Sequence, residues 1–246
     1  MTSDSWRSLR IIFFVFALFS SSCAHQEQRG STLMLSSAST PSRTLTPGTT
    51  LERAQQRGLV EVRRVIPDII IDLRYATAQN VTGQPLYPSH MPCLLRSETA
   101  EKLKRAQALL RSKGYGLRIW DAYRPPEAQE TLHKHGGKTG MFLSPNTGWS
   151  RHCGGIAVDL TLVDAQGREQ RMPTYFDQDF ANASPNYRGS DPVVKHNLQL
   201  LKAAMQLAGF TQLESEWWHF DDTEYVRDPQ PIVYGWQLAL PSMSPP

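Results

Sequence analysis

The sequence of 246 residues lacks the marks of several protein classes. Its formal net charge is only +3 and its 26 basic residues are scattered, so no basic stripe indicates nucleic acid as a partner. No segment recurs at a period of about 20–50 residues, which excludes a repeat architecture. With 40% hydrophobic residues, the chain does have enough apolar material for one globular core.

The apolar run near the N-terminus is too short to span a membrane. It covers the nine residues Ile11–Phe19, which as a helix would extend roughly 14 Å, about half of the ~30 Å hydrocarbon core. Arg7 and Arg10 precede the run and small residues follow it, which is typical of a secretory signal peptide. The sequence therefore predicts a signal peptide at residues 1–22 and an exported, periplasmic protein.

Cys23 follows the predicted signal directly. The segment Leu18–Cys23 (LFSSSC) resembles a bacterial lipobox, whose cysteine is lipidated and becomes the first residue of the mature protein. This resemblance implies a lipoprotein that contacts the membrane only through a lipid on Cys23. An ordinary cleaved signal is the alternative, because Ser20 stands where a lipobox has an aliphatic residue.

Composition divides the rest of the chain. Residues 23–57 are rich in Ser, Thr, Gln and Arg without periodicity, which predicts a flexible linker. A catalytic domain is expected at residues 58–235 and a loose tail at residues 236–246. Two cysteines remain in the domain, Cys93 and Cys153, and the sequence is compatible with either a disulfide or free thiols.

Hydrophobic periodicity predicts an α+β domain. Asp191 and Pro192 begin a helix whose apolar residues recur until Gly209, and Ser97 is expected to cap an earlier helix. Strands are predicted at residues 68–75, 117–123, 156–163 and 210–220, and helices at residues 97–113, 192–208 and around 128–132. Since strands and helices do not alternate regularly, we expect a mainly antiparallel central sheet with flanking helices.

The first candidate metal ligands, His152 and Asp159, lie in residues 150–159 (SRHCGGIAVD). A helix would place them on one face, but Gly154, Gly155 and the β-branched residues disfavour a helix. A straight strand would place them on opposite faces. We therefore expect a turn at the glycines, so that His152 reaches from a loop and Asp159 from a strand toward one point. A carboxylate in so apolar a strand needs a partner such as a metal ion.

Glu216 and His219 are the candidates for a base and a third ligand. His219 is flanked by aromatic residues and follows Glu216 by three positions. Two histidines and one carboxylate suit Zn²⁺ and leave the fourth tetrahedral position to water. Zinc lowers the pKa of that water from about 15.7 to about 7, and Glu216 would pass its proton to the leaving amine. Glu214 is the alternative base, but its spacing from His219 is less favourable.

Arg124 is the candidate electrophile. It stands at the end of the predicted strand and is followed by Pro125, so its guanidinium can point at a developing oxyanion. Losing one such donor typically costs about 2.7–4 kcal/mol of transition-state stabilisation. The alternative is a structural role for Arg124 as the salt-bridge partner of Asp121.

Together these segments resemble the D-alanyl-D-alanine dipeptidase family. This family belongs to a wider group of zinc peptidases with D,D-carboxypeptidases, lysostaphin-type endopeptidases and the hedgehog signalling domain. The pattern Ser-x-His-x-x-Gly-x-Ala-x-Asp matches residues 150–159, and Glu-x-x-His matches residues 216–219. The dipeptidase branch is similar again at residues 119–125 (IWDAYRP) and 159–162 (DLTL). The resemblance covers roughly residues 59–235 and implies the hedgehog/D-Ala-D-Ala-peptidase type of α+β fold.

The resemblance implies a cofactor and the residues that use it. The implied cofactor is Zn²⁺, with one ion per chain. The implied ligands are His152, Asp159 and His219, with Glu216 as general base or acid and Arg124 as stabiliser of the oxyanion.

Further residues are implied for substrate binding. Residues 172–177 (MPTYFD) are similar to a stretch in which the family places an aspartate against the free ammonium of the substrate. Asp177 is the expected residue, and Asp179 is the alternative. Ser150 and Tyr123, which lie in the matched motifs, are also expected to contact the substrate.

The expected activity is the zinc-dependent hydrolysis of the dipeptide D-alanyl-D-alanine to D-alanine in cell-wall peptide metabolism. The expected partner is thus a small D-amino-acid dipeptide. One alternative is a D,D-carboxypeptidase or endopeptidase acting on peptidoglycan stem peptides, whose N-terminal side is long and blocked. An alternative from another class is a catalytically silent wall-binding lipoprotein that keeps zinc for structure.

Overall fold

A computed structural model describes residues 48–136, 142–227 and 230–243 of the chain. These residues belong to the second of two compact units, Leu45–Pro246. The predicted signal peptide, the predicted lipidation at Cys23 and most of the predicted linker lie outside the described residues. Within the described ranges, no helix is both long and apolar enough to cross a membrane.

Helices and strands are mixed along the described part of the chain. The helices are α1 (Thr50–Gln55), α2 (Val62–Val65), α3 (Ser97–Arg111), α4 (Pro126–Gly136) and α5 (Pro192–Ala208). The strands are β1 (Leu59–Glu61), β2 (Ile70–Ile71), β3 (Leu94–Arg96), β4 (Tyr115–Asp121), β5 (Ala157–Asp164), β6 (Phe210–Gln212) and β7 (His219–Asp222). Short 3-10 helices lie at Arg74–Ala76, Arg151–Gly154, Phe180–Asn182, Thr223–Val226 and Gly235–Leu238.

Five strands form the central sheet in the order β2-β4-β5-β7-β6. β2 runs parallel to β4, whereas each of the other neighbouring pairs is antiparallel. β1 and β3 form a separate antiparallel pair. The prediction of an α+β fold is confirmed, but the sheet is mixed at one edge rather than purely antiparallel.

Helices cover one face of the central sheet, and the candidate functional residues lie on the other face. α3 and α5 pack against each other and against the sheet. On that face Asp222 of β7 accepts a hydrogen bond from Thr99 Oγ1 of α3 at 2.7 Å. Because side chains alternate along a strand, Asp159 and Thr161 of β5 point to the opposite face. Both are buried, so this face is covered as well.

The strongest local helix signals are confirmed. Asp191 caps α5 by accepting hydrogen bonds from the backbone nitrogens of Val193 and Val194, and Pro192 occupies the first turn. The helix ends at Gly209, whose φ of 99° lies in the left-handed region that favours glycine. For α3 the predicted cap was wrong by one residue, since Arg96 occupies the N-cap position and Ser97 is the first helical residue.

Two predicted strands are shorter than expected. Residues 210–220 form two strands, β6 and β7, rather than one, because residues 213–218 turn between them and Leu213 N donates to His219 O at 3.1 Å. The strand predicted at residues 68–75 is confined to β2, and Arg74–Ala76 is a 3-10 helix. There the tertiary contacts of Tyr75 override the β propensity of the segment.

The chain is also packed beyond the predicted domain boundaries. Within the predicted linker, Thr49 and Glu52 form a reciprocal capping box at the start of α1, and Ala54 is buried. In the predicted tail, Leu238 and Leu240 are buried in the core. The expectation of a loose tail beginning at residue 236 was therefore wrong for these residues.

Candidate metal centre and its cavity

The central sheet aligns three polar side chains in one row. Asp159 of β5 is the register partner of His219 on β7 and of Asp121 on β4. The β4–β5 register shifts between Ile119 and Asp121, and this irregularity brings Asp121 opposite Asp159. Directly paired residues have their side chains on the same face of a sheet. The strand pairing alone therefore places His219 beside Asp159.

His152 reaches the same row from the 3-10 helix that precedes β5. Ser150 caps this turn, with its Oγ accepting a hydrogen bond from His152 N at 3.4 Å. Gly155 ends the turn with a φ of 70°, and a Cβ atom there would lie 2.5 Å from Leu59 Cδ2. The predicted turn at the glycines is thus present, and both the positive φ and the close contact favour glycine at residue 155.

Three donor atoms face one another at nearly equal distances. His152 Nε2 lies 3.2 Å from His219 Nδ1, and Asp159 Oδ1 lies 3.0 Å from His219 Nδ1 and 3.3 Å from His152 Nε2. A tetrahedral zinc ion with bonds of about 2.0–2.2 Å separates its donors by about 3.3–3.6 Å. The triangle is a slightly contracted tetrahedral face, so these residues fit a single ion such as Zn²⁺.

Hydrogen bonds to the distal nitrogens set both histidine tautomers. His152 Nδ1–H donates to the carbonyl oxygen of Ala122 at 2.7 Å, which leaves the Nε2 lone pair directed at the cluster. His219 Nε2 lies 3.0 Å from Asp221 Oδ1, and because a carboxylate accepts, the ring donates from Nε2 and presents Nδ1 to the cluster. Such partners behind a histidine ligand are usual in metal sites.

The electrostatics of the cluster also favour a cation. Burial raises the pKa of Asp159, but His152 and His219 lower it more strongly, so this pKa lies well below its usual value. Burial lowers the pKa of His219, but its hydrogen bonds with Asp159 and Asp221 raise it well above its usual value. The surrounding carboxylates thus hold positive charge at this point, which a metal ion also supplies.

The cluster opens into a small cavity of about 230 Å³. Drug-sized ligands generally occupy cavities of about 300–1,000 Å³, so this cavity suits a smaller substrate. Besides the ligands, its walls include Tyr75, Arg124, Gln129, Phe142, Ser150, Arg151, Asp177, Leu213, Glu216 and Asp221. A larger groove of about 980 Å³ lies along residues 85–93, away from the cluster.

The structure distinguishes the two candidate bases by position. Glu216 is half-buried in the cavity wall, and burial raises the pKa of its carboxyl group. Glu214 is exposed and does not line the cavity. A carboxyl group with a raised pKa beside the metal ligands is suited to proton transfer, so geometry favours Glu216.

Arg124 combines the two roles that the sequence left open. Its Nε donates to Asp121 Oδ2 at 2.8 Å, and its Nη2 lies 3.4 Å from Asp159 Oδ2. Its Nη1 donates to Gln129 Oε1 at 2.8 Å, and the guanidinium stacks on the Tyr75 ring at 4.9 Å. Arg124 is therefore a salt-bridge partner of Asp121 and, held in this way, also part of the cavity wall.

Asp177 lies in the cavity wall, whereas Asp179 does not. Asp177 is only 7% exposed, has a φ of 54° and accepts a hydrogen bond from the Tyr75 hydroxyl at 2.7 Å. Burial raises the pKa of Asp177 to about 7. Asp179 is exposed and bonds to Asn182. A non-glycine residue at positive φ in a cavity wall is the kind of strain that concentrates at functional sites.

Tyr123 is the predicted site residue that the structure does not bring to the cavity. Its hydroxyl is buried and donates to the carbonyl oxygen of Val233 at 2.6 Å, so a role in substrate contact is not supported. Ser150, in contrast, does line the cavity. Tyr75 and Asp221 were missed by sequence reasoning. Asp221 could have been predicted, because it stands two residues after His219 in the same strand. Residues two apart in a strand share a face.

The two cysteines of the domain take no part in the donor set. Cys93 and Cys153 are both free and buried. Burial raises the pKa of the Cys153 thiol to about 12. Although Cys153 follows His152 in the chain, it is therefore a protonated core residue rather than a thiolate ligand.

A buried His-Asp-His donor set, a carboxyl group with a raised pKa and an arginine around one small cavity are the parts of a metallopeptidase, and this protein is an enzyme of that class. The comparison of sequences defines it further. The profile of the D-ala-D-ala dipeptidase family, peptidase M15, matches residues 55–233, and the chain belongs to this family.

Curated relatives agree with the family assignment. The chain is 34% identical over 163 residues to the D-alanyl-D-alanine dipeptidase of Escherichia coli K12, an alignment that covers 66% of this chain and 83% of the relative. It is 28% identical over 182 residues to that of Enterococcus faecium, covering 66% and 90%. It is 25% identical over 198 residues to that of Enterococcus faecalis V583, covering 73% and 96%.

Proposed function

We propose that this protein hydrolyses D-alanyl-D-alanine to D-alanine, with one zinc ion held by His152, Asp159 and His219. The observation that carries the choice of a free dipeptide is Asp177, a buried carboxyl group in the cavity wall with no ion-pair partner among the described residues. An ionised carboxylate in such a place is costly unless it is paired. The free ammonium of a dipeptide supplies the missing charge.

The chemistry at the scissile bond divides between the ion and Glu216. When bound, zinc polarises the peptide carbonyl and activates water. Glu216 accepts a proton from the attacking water and delivers it to the departing nitrogen, so that the C–N bond breaks as the new C–O bond is kept. The raised pKa of Glu216 suits this transfer, because burial makes its carboxylate a better proton acceptor than an exposed glutamate.

Arg124 and Ser150 are proposed to hold the reacting carbonyl group. Arg124 is fixed by Asp121 and Gln129, so its remaining Nη1–H is preorganised to donate to the oxygen on which negative charge develops. Ser150 already accepts a hydrogen bond at Oγ, so its own hydroxyl hydrogen is available to the substrate. Neither residue has to reorganise during the reaction.

The apolar part of the cavity suits small side chains. Phe142 and Leu213 are among its lining residues, and the volume of about 230 Å³ leaves little room beyond a dipeptide. Methyl groups of alanine bury apolar area against such a wall without needing polar partners. Binding would therefore be directed by the substrate ammonium and by size.

The test is D-alanine release from D-alanyl-D-alanine by the zinc-loaded protein, with Glu216→Ala as the variant and Glu214→Ala as its matched control. We expect Glu216→Ala to lower kcat by about 10²–10⁴-fold while retaining zinc, and Glu214→Ala to leave kcat unchanged. Zinc binding without release would contradict the proposal and favour a silent binding protein, whereas equal rates in both variants would contradict the role of Glu216.

We also propose that the chain is exported and anchored by a lipid on Cys23. This proposal rests on the charged, apolar and small-residue order of residues 1–22 and on the lipobox-like segment before Cys23. Labelled palmitate should be incorporated into the wild-type chain but not into Cys23→Ala, and only the wild type should sediment with membranes. An unlabelled wild-type chain in the periplasm would indicate an ordinary cleaved signal, and retention in the cytoplasm would refute export.

A further inference from the structure

A chain of polar contacts extends behind His219, away from the other ligands. His219 Nε2–H donates to Asp221 Oδ1 at 3.0 Å. The second oxygen, Asp221 Oδ2, lies 3.0 Å from Arg151 Nε. Arg151 is in turn anchored through Nη1 to the carbonyl oxygens of Tyr225 and Val226, at 3.2 and 3.1 Å. Each oxygen of Asp221 therefore has a separate partner with its own direction.

We propose that Asp221 and Arg151 form a positioning pair that sets the geometry and the affinity of the metal site. The proposal rests on the zinc centre of the proposed function. Asp221 holds the imidazole of His219 in the tautomer that leaves Nδ1 free. Arg151 holds Asp221 in the orientation that this hydrogen bond requires.

The direct effect of Asp221 is on the His219 ring. With the other tautomer, a hydrogen on Nδ1 would point at His152 Nε2, which is only 3.2 Å away, and His219 could not act as a ligand there. A carboxylate behind a histidine ligand excludes that tautomer and raises the basicity of the ligating nitrogen. Since His219 and Asp221 are alternate residues of β7, the strand backbone fixes their relative position.

The effect of Arg151 reaches both histidine ligands. Arg151 immediately precedes His152 in the short 3-10 helix, so anchoring its side chain to the backbone of residues 225 and 226 also restrains that turn. Through Asp221, the same guanidinium restrains His219. One ion pair thus connects the loop that carries His152 to the strand that carries His219, and holds their facing nitrogens at a metal-binding separation.

The pair is partly accessible, which distinguishes it from the fully buried contacts of the site. The Arg151 side chain is 30% exposed and that of Asp221 is 15% exposed. An ion pair in this setting contributes little to folding itself. Its removal should therefore change metal binding more than the stability of the metal-free protein, and this difference makes the proposal testable.

The experiment measures the zinc dissociation constant by competition with a chromophoric chelator, using the full chain. The variants are Asp221→Ala, Asp221→Asn and Arg151→Gln. Glu61→Gln is the matched control, because it removes the same charge from an exposed ion pair with Arg64 that is remote from the site. We expect Asp221→Ala to weaken zinc binding about 10–100-fold, Asp221→Asn and Arg151→Gln to weaken it less, and Glu61→Gln to leave it unchanged.

Two further readouts separate positioning from general damage. The melting temperature of metal-free Arg151→Gln should stay close to that of the wild type, because the ion pair that it removes is partly exposed. Imidazole nitrogen NMR of the zinc-loaded protein should show a proton on Nε2 of His219 and none on Nδ1 in the wild type, and a weaker hydrogen bond from that Nε2–H in Asp221→Ala. If the wild type binds zinc tightly and the variants bind it equally tightly, the inference is overturned but the proposed function is not. A wild type that does not bind zinc would overturn both the inference and the proposed function.

Discussion

The Tyr75 hydroxyl donates to Asp177 Oδ2 at 2.7 Å, although 102 residues separate the two in the chain. This bond is the polar contact that orients Asp177, whose backbone has a φ of 54°. Both side chains line the cavity, as Glu216 does, so the pair belongs to the proposed substrate site. The proposed selectivity for a free ammonium therefore depends on a contact that no local sequence pattern predicts.

Removing the Tyr75 hydroxyl should weaken substrate binding. A hydrogen bond to a charged group is worth about 1.5–3 kcal/mol, so Tyr75→Phe should raise KM for D-alanyl-D-alanine on the order of 10-fold or more, with a smaller change in kcat. Steady-state kinetics measure this directly. Tyr123→Phe removes the same atom outside the cavity, where it donates to Val233 O, and should leave KM unchanged. Equal effects of both variants would contradict the assignment of Tyr75.

Replacing Asp177 should stabilise the metal-free protein at neutral pH. The unfolded chain releases the proton near the ordinary pKa of 3.8, whereas burial raises the pKa in the folded protein to about 7. Stability contributed by this group is therefore lost as the pH rises from about 4 to about 7. The groups around it are Tyr75, Arg124, Asp159 and Glu216.

Asp177→Asn should accordingly raise the stability at pH 8 on the order of 2–4 kcal/mol and have little effect near pH 4. Thermal unfolding of the chelated protein across this range measures the effect, with a shift of roughly 5–10 °C expected at pH 8. Activity should fall at the same time, because the ammonium loses its partner. A variant that is less stable than the wild type at pH 8 would contradict the raised pKa.

Zinc should stabilise the folded protein through its three ligands. At a free concentration of about 100 times Kd, a bound ligand contributes about 2.7 kcal/mol, or roughly 5–10 °C in Tm for a domain of this size. His219→Ala should abolish this shift, whereas alanine at the exposed His196 should preserve it. A full zinc-dependent shift in His219→Ala would place the ion elsewhere.

A side chain at residue 155 should destabilise the fold. Gly155→Ala introduces a Cβ at 2.5 Å from Leu59 Cδ2 and keeps a φ of 70°, which together should cost about 2–3 kcal/mol of unfolding free energy. Gly83→Ala is the control, because Gly83 has a similar φ of 67° but no atom within 4 Å of the added Cβ. Its cost should be about 1 kcal/mol. Urea unfolding gives both values, and equal costs would show that the contact with Leu59 is relaxed.

Local signals and a motif were sufficient to predict a large part of this protein. The Asp191 cap and Gly209 predicted both ends of α5, because helix termini depend on nearby residues. The spacing of His152 and Asp159 around two glycines predicted a turn that the structure contains. Those predictions concern residues that are close in the chain, where few alternatives compete.

Contacts between distant residues were not predictable in the same way. The segment at residues 68–75 has the composition of a strand, but Tyr75 leaves that conformation to contact Asp177. Tyr123 belongs to a matched motif, yet its hydroxyl donates to the carbonyl oxygen of Val233, a residue that is distant in the sequence. The capping box of Thr49 and Glu52 was a local signal of a helix start. It was missed because the polar composition of residues 23–57 predicted a flexible linker.

The most direct measurement compares kcat/KM for D-alanyl-D-alanine with kcat/KM for the same dipeptide acetylated at its nitrogen, in the zinc-loaded wild type and in Asp177→Asn. A buried charge pair worth about 2–4 kcal/mol predicts a preference for the free dipeptide of roughly 30–1,000-fold, and Asp177→Asn should remove most of it by slowing the free dipeptide alone. Faster release from the acetylated dipeptide in the wild type would contradict the dipeptidase function and indicate a carboxypeptidase.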